Sequence, residues 1–232
     1  MNFHIITIFP EMFDSYLKES IIGRAIKNKK IYIKFYNPRD FIKAPKNNYK
    51  PVDGKPYGGG PGMVLKAEPL LKAVAKVLNV VKNKNKTKII LFSASGRKFD
   101  TVYAKTIAKK YSDVIMISGR YEGIDARVQK ILRAEEISIG DYVLTGGELP
   151  AMVLIDCISR QIKGVLGKHE SLEEERISSS EVYTRPEILK YTSSGRDKKP
   201  KIFRVPKVLL SGNHKKIEEW RKSSKQGTKI TP

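Results

Sequence analysis

Between residues 89 and 160 the chain alternates short apolar runs with longer amphipathic stretches, and this alternation narrows the possible folds more than any other feature. The runs 89–92, 114–118 and 136–139 have strand length; the stretches 99–111, 123–132 and 149–160 have helical length. Strands that alternate with helices pair in parallel, because each helix carries the chain back across the sheet. The upstream part extends the pattern. A β-branched run over 4–9 stops at Pro10, and Phe13, Leu17, Ile21 and Ile22 fall near helical spacing over 11–26, with Gly23 its weak point. Residues 31–36 alternate like a two-faced strand. Pro69 suits the first turn of a helix reaching about residue 81. The expected fold is therefore α/β, with a mainly parallel sheet.

Two stretches stand outside that rhythm. Residues 37–63 form a long loop rich in Asn, Pro, Gly and Lys, and a loop of that length inside a domain is usually functional or disordered. Its run PYGGGPGM at 56–63 is stiffened by Pro56 and Pro61, which suggests a shaped surface rather than a free linker. Beyond residue 164 the composition turns polar. The chain divides into a first domain over 1–166, a linker over 167–181 and a small helical unit over 182–232, with a turn at Thr184-Arg185-Pro186 and a helix bearing Ile217 and Trp220.

Charge supplies the first functional constraint. Lys and Arg number 45 against 24 Asp and Glu, for a net charge of +21, the balance of a protein that attracts polyanions such as nucleic acid. The single cysteine, Cys157, forms no internal disulfide and fits a reducing cytoplasm. No apolar run approaches bilayer length and no cationic leader precedes one, so no membrane association is expected. His4, His169 and His214 are scattered without metal-ligand spacing, and no metal site is expected from them.

Ligands of open parallel sheets bind beyond the carboxyl ends of the strands. Three such ends carry glycine and polar residues: 93–97, 119–123 and 140–148. Singly each reads as an ordinary strand-to-helix turn; together they could close on one pocket for a flat ligand. There is no G-x-x-x-x-G-K-[ST] and no G-x-G-x-x-G opening a helix, which argues against a phosphate-loop ATPase and a Rossmann dinucleotide site.

Several ordered motifs, PYGGGPGM at 56–63, GRYEGID at 119–125, SIGDYVL at 138–144, GGELPAM at 146–152, GVLG at 164–167, YTRP at 183–186 and LLSGNH at 209–214, closely resemble the bacterial tRNA (guanine-N1)-methyltransferase family. The match covers nearly the whole chain. It implies a SPOUT-type sheet with a C-terminal trefoil knot, an obligate homodimer with sites built from both subunits, tRNA as partner, and S-adenosyl-L-methionine as methyl donor. By position, the resemblance lines the donor site with Leu91, Phe92, Ser93 and Ala94; with Gly119, Tyr121, Glu122 and Gly123; and with Ser138, Ile139, Gly140, Asp141, Tyr142, Val143, Leu144, Gly146, Gly147 and Pro150. It assigns Tyr57, Gly59, Arg120 and Arg185 to the RNA substrate. It makes Glu175 the general base and Arg160 the partner of guanine O6, and it allows magnesium near Glu122.

The reaction calls for such groups. Guanine N1 is protonated at neutral pH, so a carboxylate must remove that proton while a cation meets the charge growing on O6. Alone, Arg160 would read as complementing a helix dipole, Glu175 as a solvated acid and Glu122 as a loop brace. The chain departs from the family at Glu175-Arg176-Ile177, where the family typically has Asp-Ser-Phe, and at Ala94, where it usually has proline. Two other readings compete: another SPOUT methyltransferase acting on a ribose or on ribosomal RNA, and a non-catalytic basic RNA-binding protein.

Overall fold

The computed structural model describes residues 1–43, 50–166, 181–192 and 200–226, with side chains to residue 223. The expected linker therefore lies outside the described residues, apart from Glu181. Two compact units emerge, Met1–His169 and Glu170–Pro232.

In the first unit, β1 (Asn2–Ile6) ends where Thr7 Oγ1 accepts a hydrogen bond from the Phe9 N–H at 3.0 Å. This local turn competes with strand pairing, so the strand lies toward the N-terminus of the expected 4–9 and Pro10 opens a 3-10 turn. The helix expected over 11–26 is split into α1 (Asp14–Leu17) and α2 (Ser20–Lys27). Gly23 marks the reason: a Cβ there would sit 2.4 Å from the Lys18 carbonyl oxygen, so α2 packs against the end of α1 only with glycine. After β2 (Tyr32–Tyr36), the long loop contains β3 (Asp53–Gly54), which pairs antiparallel with β4 (Val64–Leu65). Then follow α3 (Ala67–Leu78), with Pro69 in its first turn, β5 (Thr87–Lys98), α4 (Thr101–Lys110) and β6 (Asp113–Ile117). The unit continues with α5 (Arg127–Leu132), β7 (Glu135–Ser138) and α6 (Glu148–Arg160).

The five longer strands form one parallel sheet in the order β2-β1-β6-β5-β7. Side-chain alternation divides the core between its faces. Phe3, Ile5, Val114 and Met116 pack with Ile22 of α2, Ile107 of α4 and Leu154, Ile155 and Ile158 of α6. Ile6, Ile115 and Ile117 pack with Leu70, Val74 and Val77 of α3 and Val128 of α5. Most of these side chains are fully buried, each worth about 1.5–3 kcal/mol of transfer free energy.

One irregularity shapes the site. Phe92 and Arg97 of β5 both stand opposite Ile137 of β7, so residues 93–96 leave the ladder as an excursion at the sheet's carboxyl end. Gly96 permits the crossing, since a Cβ there would lie 2.6 Å from the Glu136 carbonyl carbon.

The second unit is not purely helical, as its sequence suggested. It contains an antiparallel hairpin, β8 (Ile188–Tyr191) and β9 (Lys201–Arg204), besides α7 (Lys207–Leu210) and α8 (His214–Gln226). The Tyr183 and Trp220 rings lie 6.3 Å apart within it.

Candidate active site

The three glycine-bearing segments meet at the carboxyl end of the sheet. The β5 excursion, the turn after β6 and the crossing from β7 to α6 wall one cavity of about 380 Å³, within the usual range for small-molecule sites. Its walls are tied by backbone: Gly147 N–H donates to the Gly119 carbonyl at 2.9 Å, and Arg120 forms a bridge with Gly146. Ser138 Oγ closes the start of the crossing by donating to the Gly140 carbonyl at 2.9 Å.

Of the residues expected around the donor, Leu91, Phe92, Ser93, Ala94, Gly119, Tyr121, Glu122, Gly123, Ser138, Ile139, Gly140, Tyr142, Val143, Leu144, Gly146, Gly147 and Pro150 line this cavity. Asp141 does not. Its carboxylate turns to Lys98 Nζ at 2.6 Å, an exposed ion pair outside the lining. Arg120, expected to touch the RNA, also lines the cavity.

The remaining expected residues lie elsewhere. Tyr57 is fully exposed and Gly59 exposed in the glycine loop, and neither lines the cavity. That loop nevertheless abuts its wall: Glu122 N–H donates to the Met63 carbonyl at 3.0 Å, and a Cβ on Gly62 would meet the Glu122 side chain at 2.5 Å. The backbone at Gly58, Gly59, Gly60 and Gly62 has positive φ, from 76 to 114°, conformations that L side chains rarely adopt. Arg160 closes α6, ten residues beyond Pro150 and so about 15 Å further along the helix axis. It is half-buried and outside the cavity of its own chain. Arg185 is exposed in the second unit, and Glu175 lies outside the described residues.

The structure adds residues that the sequence did not single out. Ile124, Asp125, Ala126, Gln129, Glu136, Ile137 and Thr145 also line the cavity. Asp125 could have been found, since it ends the GRYEGID run. Side-chain and backbone hydrogen bonds from Arg127 hold its carboxyl down to about 2. Glu148 and Thr7 lie buried behind the wall, joined by a 2.7 Å hydrogen bond from Thr7 Oγ1. A glutamate in a first helical turn reads as a dipole partner, which concealed Glu148. Among the described residues no three His, Cys, Asp or Glu side chains gather as a metal site, and no helix is long and apolar enough to cross a membrane.

A family model described as tRNA (Guanine-1)-methyltransferase TrmD matches residues 1–231. Similar proteins named tRNA (guanine-N(1)-)-methyltransferase come from several bacteria. That of Clostridioides difficile is 44% identical over 96% of this chain and 91% of its own length. That of Buchnera aphidicola from Acyrthosiphon pisum is 45% identical over 97% and 90%, and that of Pseudoalteromonas atlantica 41% over 97% and 80%. With a match that runs almost from end to end and a cavity formed by the loops that carry it, the chain belongs to the tRNA (guanine-1)-methyltransferase TrmD family.

Proposed function

We propose that the protein transfers a methyl group from S-adenosyl-L-methionine to N1 of the guanine immediately 3′ of the anticodon in tRNA. The observation that carries this reading is the convergence of three separate family motifs on one cavity. The cavity suits the donor. Leu91, Ile137 and Pro150 provide apolar walls for a flat base, the glycine turns leave backbone groups free to bond it, and Glu122 and Glu136 supply the sign of charge that a cation requires.

The bound donor supplies a methyl group activated by its sulfonium. The protein's own part is positioning and proton removal. The cavity walls fix the line of attack, which can supply much of the acceleration. Glu175 accepts the N1 proton and Arg160 meets the charge growing on O6. Magnesium, if used, would meet Glu122, an exposed carboxylate that could hold it together with water and RNA phosphate.

The assignment of Arg160 calls for a second copy of the chain. Arg160 is too far along α6 to serve the cavity of its own chain, yet it shares a helix face with the exposed Leu149 and Val153. Phe9, Met12 and Tyr16 are likewise exposed, and Tyr16 bonds Asp156 on that face. This apolar surface supports a homodimer in which each Arg160 reaches the partner's cavity. The family reading further includes a trefoil knot, a rare exception among folds. It is supported by the path from edge strand β7 past the ends of β5 and β6 to Thr7 after β1. The basic second unit, with Arg185, grips the tRNA, and the cytoplasm is the place of action.

The test is mass spectrometry of tRNA incubated with isotopically labelled donor. Label should appear as N1-methylguanosine and vanish when the target guanine is replaced. Label that persists after that replacement, or appears on a ribose, overturns the assignment.

A further inference from the structure

Behind the cavity wall lies a buried carboxylate that the proposed reaction does not use. Glu148 is only 1% exposed. One oxygen accepts the Thr7 hydroxyl, and the other faces Arg120 Nε at 2.9 Å. Neither Arg120 Nε nor that oxygen has a hydrogen-bond partner of good angle, so the contact is ionic. A buried carboxylate without a cation would be costly, and here the pairing ties the ends of β1 and β6 to the start of α6.

The pair has been given space. A Cβ on Gly146 would lie 2.4 Å from Arg120 Nε and 2.6 Å from the Glu148 oxygen. Around the guanidinium, the Phe9 ring lies 4.8 Å from Cζ, Met12 Sδ 2.8 Å from one terminal nitrogen and the Thr145 carbonyl 3.4 Å from the other. A thioether and a distant carbonyl are weak acceptors. Arg120 is thus fixed by its Nε edge, while among the described residues its two terminal nitrogens have no anionic partner.

We propose that Glu148 and Thr7 are positioning residues that hold Arg120 at the cavity wall as a preset arm for a substrate oxyanion. This rests on the methyltransferase reading and deepens it. A fork held at one edge presents its other nitrogens to a carboxylate or phosphate at little entropic cost. The oxyanion is either the α-carboxylate of the donor or an RNA phosphate.

The experiment is a double-mutant cycle. Glu148→Gln should lower kcat/KM about thirtyfold in the parent, but no more than about twofold in an Arg120→Gln background, because the carboxylate acts through that arginine. Thr7→Val should cost about tenfold and Thr7→Ser less than threefold, since serine retains the hydroxyl. If Glu148→Gln does not fold, the two Thr7 variants in both backgrounds decide the matter. A raised calorimetric Kd for the donor identifies its carboxylate as the oxyanion; a raised KM for tRNA with an unchanged donor Kd identifies a phosphate. Equal penalties in both backgrounds, or a Glu148→Gln enzyme within twofold of the parent, overturn the proposal. The Arg120 Nε–H resonance provides a readout without turnover: it should be slow to exchange in the parent and averaged in Glu148→Gln, and an unchanged resonance also overturns it. Absence of methylation in the parent would instead count against the functional reading alone.

Discussion

At the scale of single residues, close approach decides more than chemical type. Gly147 opens α6 at an ordinary φ of −85°, yet a Cβ there would lie 2.6 Å from Ser118 Cα and 2.9 Å from Gly119 N, both backbone atoms that cannot step aside. Gly147→Ala should cost about 2–4 kcal/mol in urea unfolding and weaken donor binding, because the helix must retreat from the cavity wall. A second residue-scale expectation concerns acid. Burial pushes the Asp113 carboxyl up, but hydrogen bonds from Ser112, His4 and Asn2 outweigh it and leave it below its usual value. Stability from this group is therefore fully present above the unfolded value, about 3.9, and is lost as pH falls through the lower folded value. Asp113→Asn should accordingly be less stable than the parent at pH 7, with the gap closing in thermal melts as pH falls below the unfolded value. A gap that stays constant with pH would count against the assignment.

Among elements, the sequence predicted best where one periodicity persisted and worst where a tertiary contact interrupted it. The alternating strands and helices from residue 89 onward were legible because each helix had an apolar stripe to bury and β6 is apolar on both faces. The split between α1 and α2 was not, since it depends on the Lys18 carbonyl meeting Gly23, a contact invisible to helical spacing. The hairpin of β8 and β9 was missed because its residues are exposed on both faces and show no buried alternation. The cavity walls were legible from motif order, but Glu148 was not, because its partners lie 141 and 28 positions away at Thr7 and Arg120. The β5 excursion makes the division between scaffold and site testable. Since Phe92 and Arg97 share one partner, removing residues 93–97 would join Phe92 to Lys98 in the register that β7 already holds. Far-UV circular dichroism should remain that of the parent, while calorimetry should detect no donor binding. Loss of the fold would mean that the excursion is structural.

For the whole molecule, the +21 charge and the proposed two-copy site lead to separable expectations. Charge governs how tRNA arrives, so its affinity should fall steeply with salt while donor affinity does not, because only RNA binding releases condensed counterions. The proposed two-copy site would govern what happens next, and mixing variants isolates it. Ala94→Arg blocks the cavity with a cation, and Arg160→Ala removes the proposed O6 partner; each alone should be inactive. If Arg160 serves the partner's cavity, a hybrid dimer concentrates both defects in one site and leaves the other intact. After equal mixing and exchange, half of the dimers are hybrids, so about one quarter of all sites should regain parental activity. If instead Arg160 served its own cavity, every site in the mixture would carry one defect, and activity would stay at the level of the variants alone. The same mixture analysed by sedimentation, with Val153→Glu as a variant that charges the exposed α6 face, should show activity returning only where dimers form.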